Sequence, residues 1–243
     1  RRIALRPPER AAARLIETSK ILSGRSICYR AAMLHRVLVL TLIVASLAVA
    51  RDTEAHPHAW VDLRSAPVFD TEGRITGIEQ TWYFDSYYSY FIIDELEAAG
   101  GVTEDGLEAV AVENMAQLAP FDYFNDVRTG ELQVAMGEAD SVRTGIHGDR
   151  IWMRFTVPLE HPVDPAAEAF RYAIYDPTYF AEMLHFADEP IMLVGHVPGS
   201  CGVLLEPPSP TFEAVELASA LDVDQSDGDG LGLLFAEWIE VSC

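Results

Sequence analysis

The segment His56-Pro57-His58-Ala59-Trp60-Val61-Asp62 gathers the residues of this 243-residue chain best suited to chemistry. In an extended backbone successive side chains alternate between faces, so His56, His58, Trp60 and Asp62 line one side. Two imidazoles and a carboxylate suit a borderline divalent metal such as zinc, nickel, cobalt or copper, which makes His56, His58 and Asp62 the candidate metal ligands. The competing reading is a histidine-bearing chain end that feeds an ordinary edge strand. Ordering such an end costs about 1–2 kcal/mol per residue. A tight site therefore needs a third ligand from the folded body, and Asp62 is the nearest on that face. Metal binds neutral imidazole, so affinity should weaken as pH falls through about 6.5.

If the mature chain begins at His56, a second geometry opens. The free amine and ring nitrogen of His56 would join the imidazole of His58 in a histidine brace for copper, and Pro57 would block the site that needs a deprotonated amide at the second residue. A third reading is a non-catalytic structural or protein-contact module in which the histidines are incidental.

Other candidates have plainer readings. Asp85 ends a strand and reads as the N-cap of the following helix, and Asp176, before Pro177, reads as a turn cap. His147, His161 and His185 fall near predicted turns, where any of them would be free to complete a site. His196 alternates with Met192 and Val194 and is expected to be a core histidine. The acidic run from Asp222 to Gly230 lacks the glycine and glutamate positions of a calcium loop and reads as a solvated loop. The sequence carries no G-x-S-x-G motif, P-loop or dinucleotide fingerprint. Hydrolase and nucleotide chemistry therefore have little support, and no enzymatic activity is expected.

Charge and hydropathy divide the chain. Residues 1–55 hold ten of the seventeen basic side chains, whereas residues 56–243 hold 34 acids against seven arginines and no lysine, a net charge of −27. Nucleic acid and anionic membrane surfaces reward cations, and are poor partners for such a surface. The break falls at a secretory signal. Met33 starts a short cationic stretch, followed by an apolar run from Val37 to Ala50 and then small residues. Fourteen helical residues span about 21 Å, short of the roughly 30 Å hydrocarbon core. Residues 33–55 are thus read as a signal peptide, cleaved after Ala50 or Ala55, and residues 1–32 as a non-native or disordered extension. The mature protein is expected to be exported and soluble. Export leaves Cys201 and Cys243 as the only mature cysteines, and in an oxidising compartment they are expected to pair. The bridge would close a loop worth at most about 4 kcal/mol in the chain-entropy model.

The elements that must position these residues follow from periodicity. Strands are predicted at 57–69 and 75–85, joined by the turn at Asp70–Gly73, with Ile78, Gln80, Trp82 and Phe84 on one face. Helices are predicted at 86–99 and from the N-cap Thr103, the second with an apolar stripe of Leu107, Val110, Ala111, Met115 and Leu118. Alternation marks strands at 132–136 and 151–157, with others at 168–175, 190–197, 201–206 and 234–243 and a helix at 211–220. The expected fold for 56–243 is a single α+β domain with mainly antiparallel sheet and two or three helices.

The order of HPHAWVD, Trp82-Tyr83-Phe84-Asp85, Tyr175-Asp176-Pro177-Thr178-Tyr179-Phe180, and Cys201 with Phe235-Ala236 and Cys243 resembles the domain-of-unknown-function 1007 family. That family is described as exported, a periplasmic component of an uncharacterised transport system, and its members tend to accompany nickel/cobalt-type permeases. The resemblance implies a metal-binding accessory role beside a membrane metal permease, for nickel, cobalt or zinc. It supplies no catalytic residue.

Overall fold

A computed structural model describes residues 57–221 and 230–243, all within one compact unit. The expectations for residues 1–56, His56 and the signal segment included, and for the acidic run over 222–229 lie outside the described residues.

The first predicted hairpin forms. Strand β1 (Ala59–Phe69) and β2 (Ile75–Phe84) pair antiparallel, and Ile78, Gln80, Trp82 and Phe84 are all buried. The turn holds because Gly73 takes φ +78°, where a side chain would be strained, and because Asp70 Oδ1 accepts the backbone N–H groups of Glu72 and Arg74, each at 2.9 Å. The Arg74 backbone N–H is the main reason that the Asp70 carboxyl lies below its ordinary pKa. Helix α1 (Ser86–Ala98) starts at Asp85, whose Oδ1 accepts from the N–H groups of Tyr87 and Tyr88 at 2.8 and 2.9 Å. Helix α2 (Glu104–Leu118) is capped by Thr103 and buries Leu107, Ala111 and Met115.

The rest of the chain adds β3 (Asn125–Thr129), β4 (Leu132–Gln133), β5 (Asp140–His147), β6 (Arg150–Val163), β7 (Phe170–Ile174), β8 (Ala181–His185), β9 (Val194–Gly195), β10 (Gly202–Glu206), α3 (Phe212–Ala220) and β11 (Trp238–Ser242). One sheet runs β5-β6-β2-β1-β8, with β9 also on β1. The second runs β10-β11-β7-β3-β4. Pairing is antiparallel except where β8 and β9 lie parallel to β1. One core joins the two sheets, with Leu63, Ile78 and Phe155 from the first beside Val127, Phe170 and Ile239 from the second. The architecture is α+β. Cys201 and Cys243 are disulfide-bonded and flank the β10–β11 ladder.

Three expectations change. The predicted strand at 190–197 shrinks to β9, because the chain passes close over the end of β1: Gly195 sits at φ +96°, where an added Cβ would lie 2.1 Å from the Phe69 carbonyl oxygen. His196 is accordingly exposed and not in the core. The strand at 132–136 shortens to β4, and Leu132 is exposed. Finally, β3, β5 and β8 are strands that periodicity did not mark, and β8 carries His185 into the interior.

Candidate functional site

His58 lies one residue before β1. Its N–H donates to the Phe180 carbonyl at 2.8 Å, and its ring lies against the Phe180 ring with centroids 5.3 Å apart. Two residues on, Trp60 is 49% exposed and its N–H donates to Asp85 Oδ2 at 3.1 Å. Asp62 follows on the same outward-facing register. Its Oδ2 accepts from the Arg150 guanidinium at 2.5 Å, and the same guanidinium donates to the carbonyls of Tyr83 and Phe84. The first predicted ligand, His56, is outside the described residues, the second is anchored to the fold, and the third is engaged by an arginine. Among the described residues no group of three or more His, Cys, Asp or Glu is gathered to hold a metal. His147 and His161 are exposed, on β5 and β6.

His185 has the most distinctive surroundings of the described histidines, and no spacing in the sequence signals them. Its Nδ1 is 2.8 Å from Glu237 Oε2, which also accepts the His185 backbone N–H at 2.7 Å. Its Nε2 is 2.9 Å from Ser65 Oγ, which is 2.7 Å from the Tyr172 hydroxyl. The order carboxylate–imidazole–hydroxyl is that of an activated serine. Access decides against that role: Ser65, His185 and Glu237 are 3%, 9% and 8% exposed, Tyr172 is fully buried, and the Ser65 oxygen is already shared with Tyr172. Burial pushes the Tyr172 hydroxyl far above its ordinary pKa, so it stays protonated and hydrogen-bonding. The chain joins β1 and β8 of the first sheet to β7 and the approach to β11 in the second. It is a polar clamp between layers.

An open cavity of about 340 Å³ lies at the start of β1. Ala59 and Val61 form part of its floor, Trp82 and Phe84 come from β2, and Phe180, the residue under His58, forms one wall. Asp176 also lines it. As expected, its carboxylate caps a turn: Oδ1 accepts from the Thr178 N–H and hydroxyl at 2.9 and 2.8 Å, and Oδ2 accepts from the Ala181 N–H at 3.0 Å. Gly232 packs so closely on this turn that an added Cβ would meet the Asp176 carbonyl oxygen at 1.8 Å. Backbone strain borders the cavity on two sides. Asp122, Tyr123 and Phe124 have φ of +50°, +52° and +63°, and Tyr179 has φ +59°.

No helix of the described residues is long and apolar enough to cross a membrane. No solved structure matches the chain. It is similar to an uncharacterised protein of Haemophilus influenzae (strain ATCC 51907 / DSM 11121 / KW20 / Rd), 26% identical over 191 residues that cover 78% of this chain and 91% of the relative. The model of the family described as protein of unknown function (DUF1007) matches residues 41–243, and the chain belongs to that family.

Proposed function

We propose that the protein is an exported, non-enzymatic accessory of a membrane permease for a divalent transition metal (zinc, nickel, cobalt or copper), and that it holds the metal through His56 and His58. The observation that carries this reading is the anchoring of His58 by the backbone and ring of Phe180. With that anchor, His58 is already held against the folded body, so its own placement adds little ordering cost when metal binds. Asp62 remains the candidate third ligand. Its bond to Arg150 joins partly exposed groups, and such pairs are worth about 0–1 kcal/mol, so a metal can compete for the carboxylate. The Cys201–Cys243 bridge supports export, because disulfides persist in oxidising compartments. The acidic, lysine-free composition of residues 56–243 suits attraction of cations beyond the cytoplasmic membrane and their transfer to a permease.

The test is dialysis of the exported protein against each of the four metals, followed by elemental analysis. Stoichiometric retention of one of them is expected, as is its loss when His56 and His58 are both replaced by alanine. Equal retention by wild type and the double variant would place any site elsewhere. Asp62→Asn should weaken binding, and an unchanged affinity would remove Asp62 from the ligand set. A mature chain shown by intact mass to start at His56 would favour the copper brace, and one starting at Arg51 would exclude it.

A further inference from the structure

We propose that the cavity at the start of β1 is a binding site for a small hydrophobic amine. Its volume of about 340 Å³ falls in the range of small-molecule sites. Trp82, Phe84, Phe124 and Phe180 supply aromatic surface, and Met153 and Met183 supply thioethers. Among the described residues, only a few polar side chains stand against this apolar lining, Asn114, Gln117 and Asp176 among them, and no lysine or arginine.

That inventory selects the charge of the ligand. An ionised carboxylate offers about four lone-pair positions, and the turn at Asp176 uses three of them, on Thr178 and Ala181. One position remains for a donor from the cavity. An ammonium group satisfies it and gains from the aromatic faces around it, whereas a ligand carboxylate would meet like charge with no cation to offset it. The net charge of −27 over residues 56–243 acts in the same direction, enriching cations and depleting anions near the mouth.

The cavity is also built in advance of any ligand. The left-handed run at 122–124 holds Phe124 stacked on Trp82, with centroids 5.9 Å apart and planes 12° apart, and Tyr179 in the same backbone region sets the direction of Phe180. Such conformations cost about 1–3 kcal/mol each and persist only where the surrounding structure imposes them. Here they fix the Trp82–Phe124 stack and Phe180 as sides of the cavity.

The test compares three ligands with one hydrocarbon skeleton, phenylpropylamine, phenylpropanol and phenylpropanoate, by calorimetric titration of the exported protein. A chelator is present throughout, so coordination of the amine to metal contributes nothing. The amine should bind about tenfold more tightly than the alcohol, in line with a desolvated cation–aromatic contact, and the carboxylate most weakly. Asp176→Asn should weaken the amine several-fold, leaving the part of its preference due to the aromatic faces, and leave the alcohol nearly unchanged. Gln117 is exposed on α2, so Gln117→Lys should weaken the amine and strengthen the carboxylate with Tm unchanged, and this variant decides the matter if Asp176→Asn fails to fold. Equal or tighter binding of the carboxylate, indifference to Gln117→Lys, or no binding of any of the three ligands would overturn the proposal.

Discussion

Strand β1 serves two regions that differ in kind. At Ser65 it enters a closed polar clamp in which Tyr172, His185 and Glu237 satisfy one another away from solvent. At Ala59 and Val61 it borders an open cavity with strained backbone on two sides and Asp176 in its lining. The clamp has the residue types of catalysis and none of the access. The cavity has access and few of the residue types. Buried polar groups with every partner supplied hold layers together, whereas an open aromatic-lined cavity bordered by strained backbone has the form of a binding place.

The largest expected effect comes from Glu237→Ala. It removes the acceptor of two buried His185 donors and should destabilise the fold by about 3 kcal/mol, while metal retention by folded protein stays the same. Urea denaturation measures it, and a loss below about 1 kcal/mol would mean that the chain does not clamp the sheets. Gly232→Ala tests the other region. Its Cβ would displace the Asp176 turn, at a cost of about 2 kcal/mol by analogy with overpacking, and should weaken amine binding as well. Stability lost with amine affinity intact would separate the turn from the cavity.

Tyr172→Phe should cost only about 1 kcal/mol, since Ser65 keeps its bond to His185. Thermal denaturation that shows a larger loss would mean that the clamp acts as one cooperative unit. The smallest effect at neutral pH belongs to tyrosine ionisation. Burial, aided by Asp126, pushes the Tyr175 hydroxyl up to about 12, and burial raises Tyr172 and Tyr179 further. A raised phenol pKa means that the folded state holds its proton longer than the unfolded chain. Stability should therefore be level below the ordinary tyrosine pKa of about 10 and fall as pH rises from there through the folded values. A stability profile flat to pH 12 would contradict the burial of these hydroxyls.

Most local structure was legible along the chain. Asp85, Thr103 and Asp176 cap what their positions predict, and the alternation of Ile78, Gln80, Trp82 and Phe84 names the buried face of β2. These readings succeed because a cap or an alternating face is decided within a few neighbouring residues. The predicted site was legible only in part. His58 and Asp62 stand where an extended segment puts them, but the anchoring of one by Phe180 and the engagement of the other by Arg150 join residues 122 and 88 positions apart.

By itself the sequence determined the α+β class, the first hairpin, the caps of α1 and α2, the pairing of Cys201 with Cys243 and the acidic surface. Each follows from local periodicity, cap chemistry or composition. Only the tertiary structure decided that His185 is interior and His196 exposed, that β8 lies parallel to β1, and that a cavity opens beside His58. Those outcomes depend on which distant strands meet. A strand such as β8 carries no strong pattern of its own, and its place is set by the partner it pairs with and the layer that covers it.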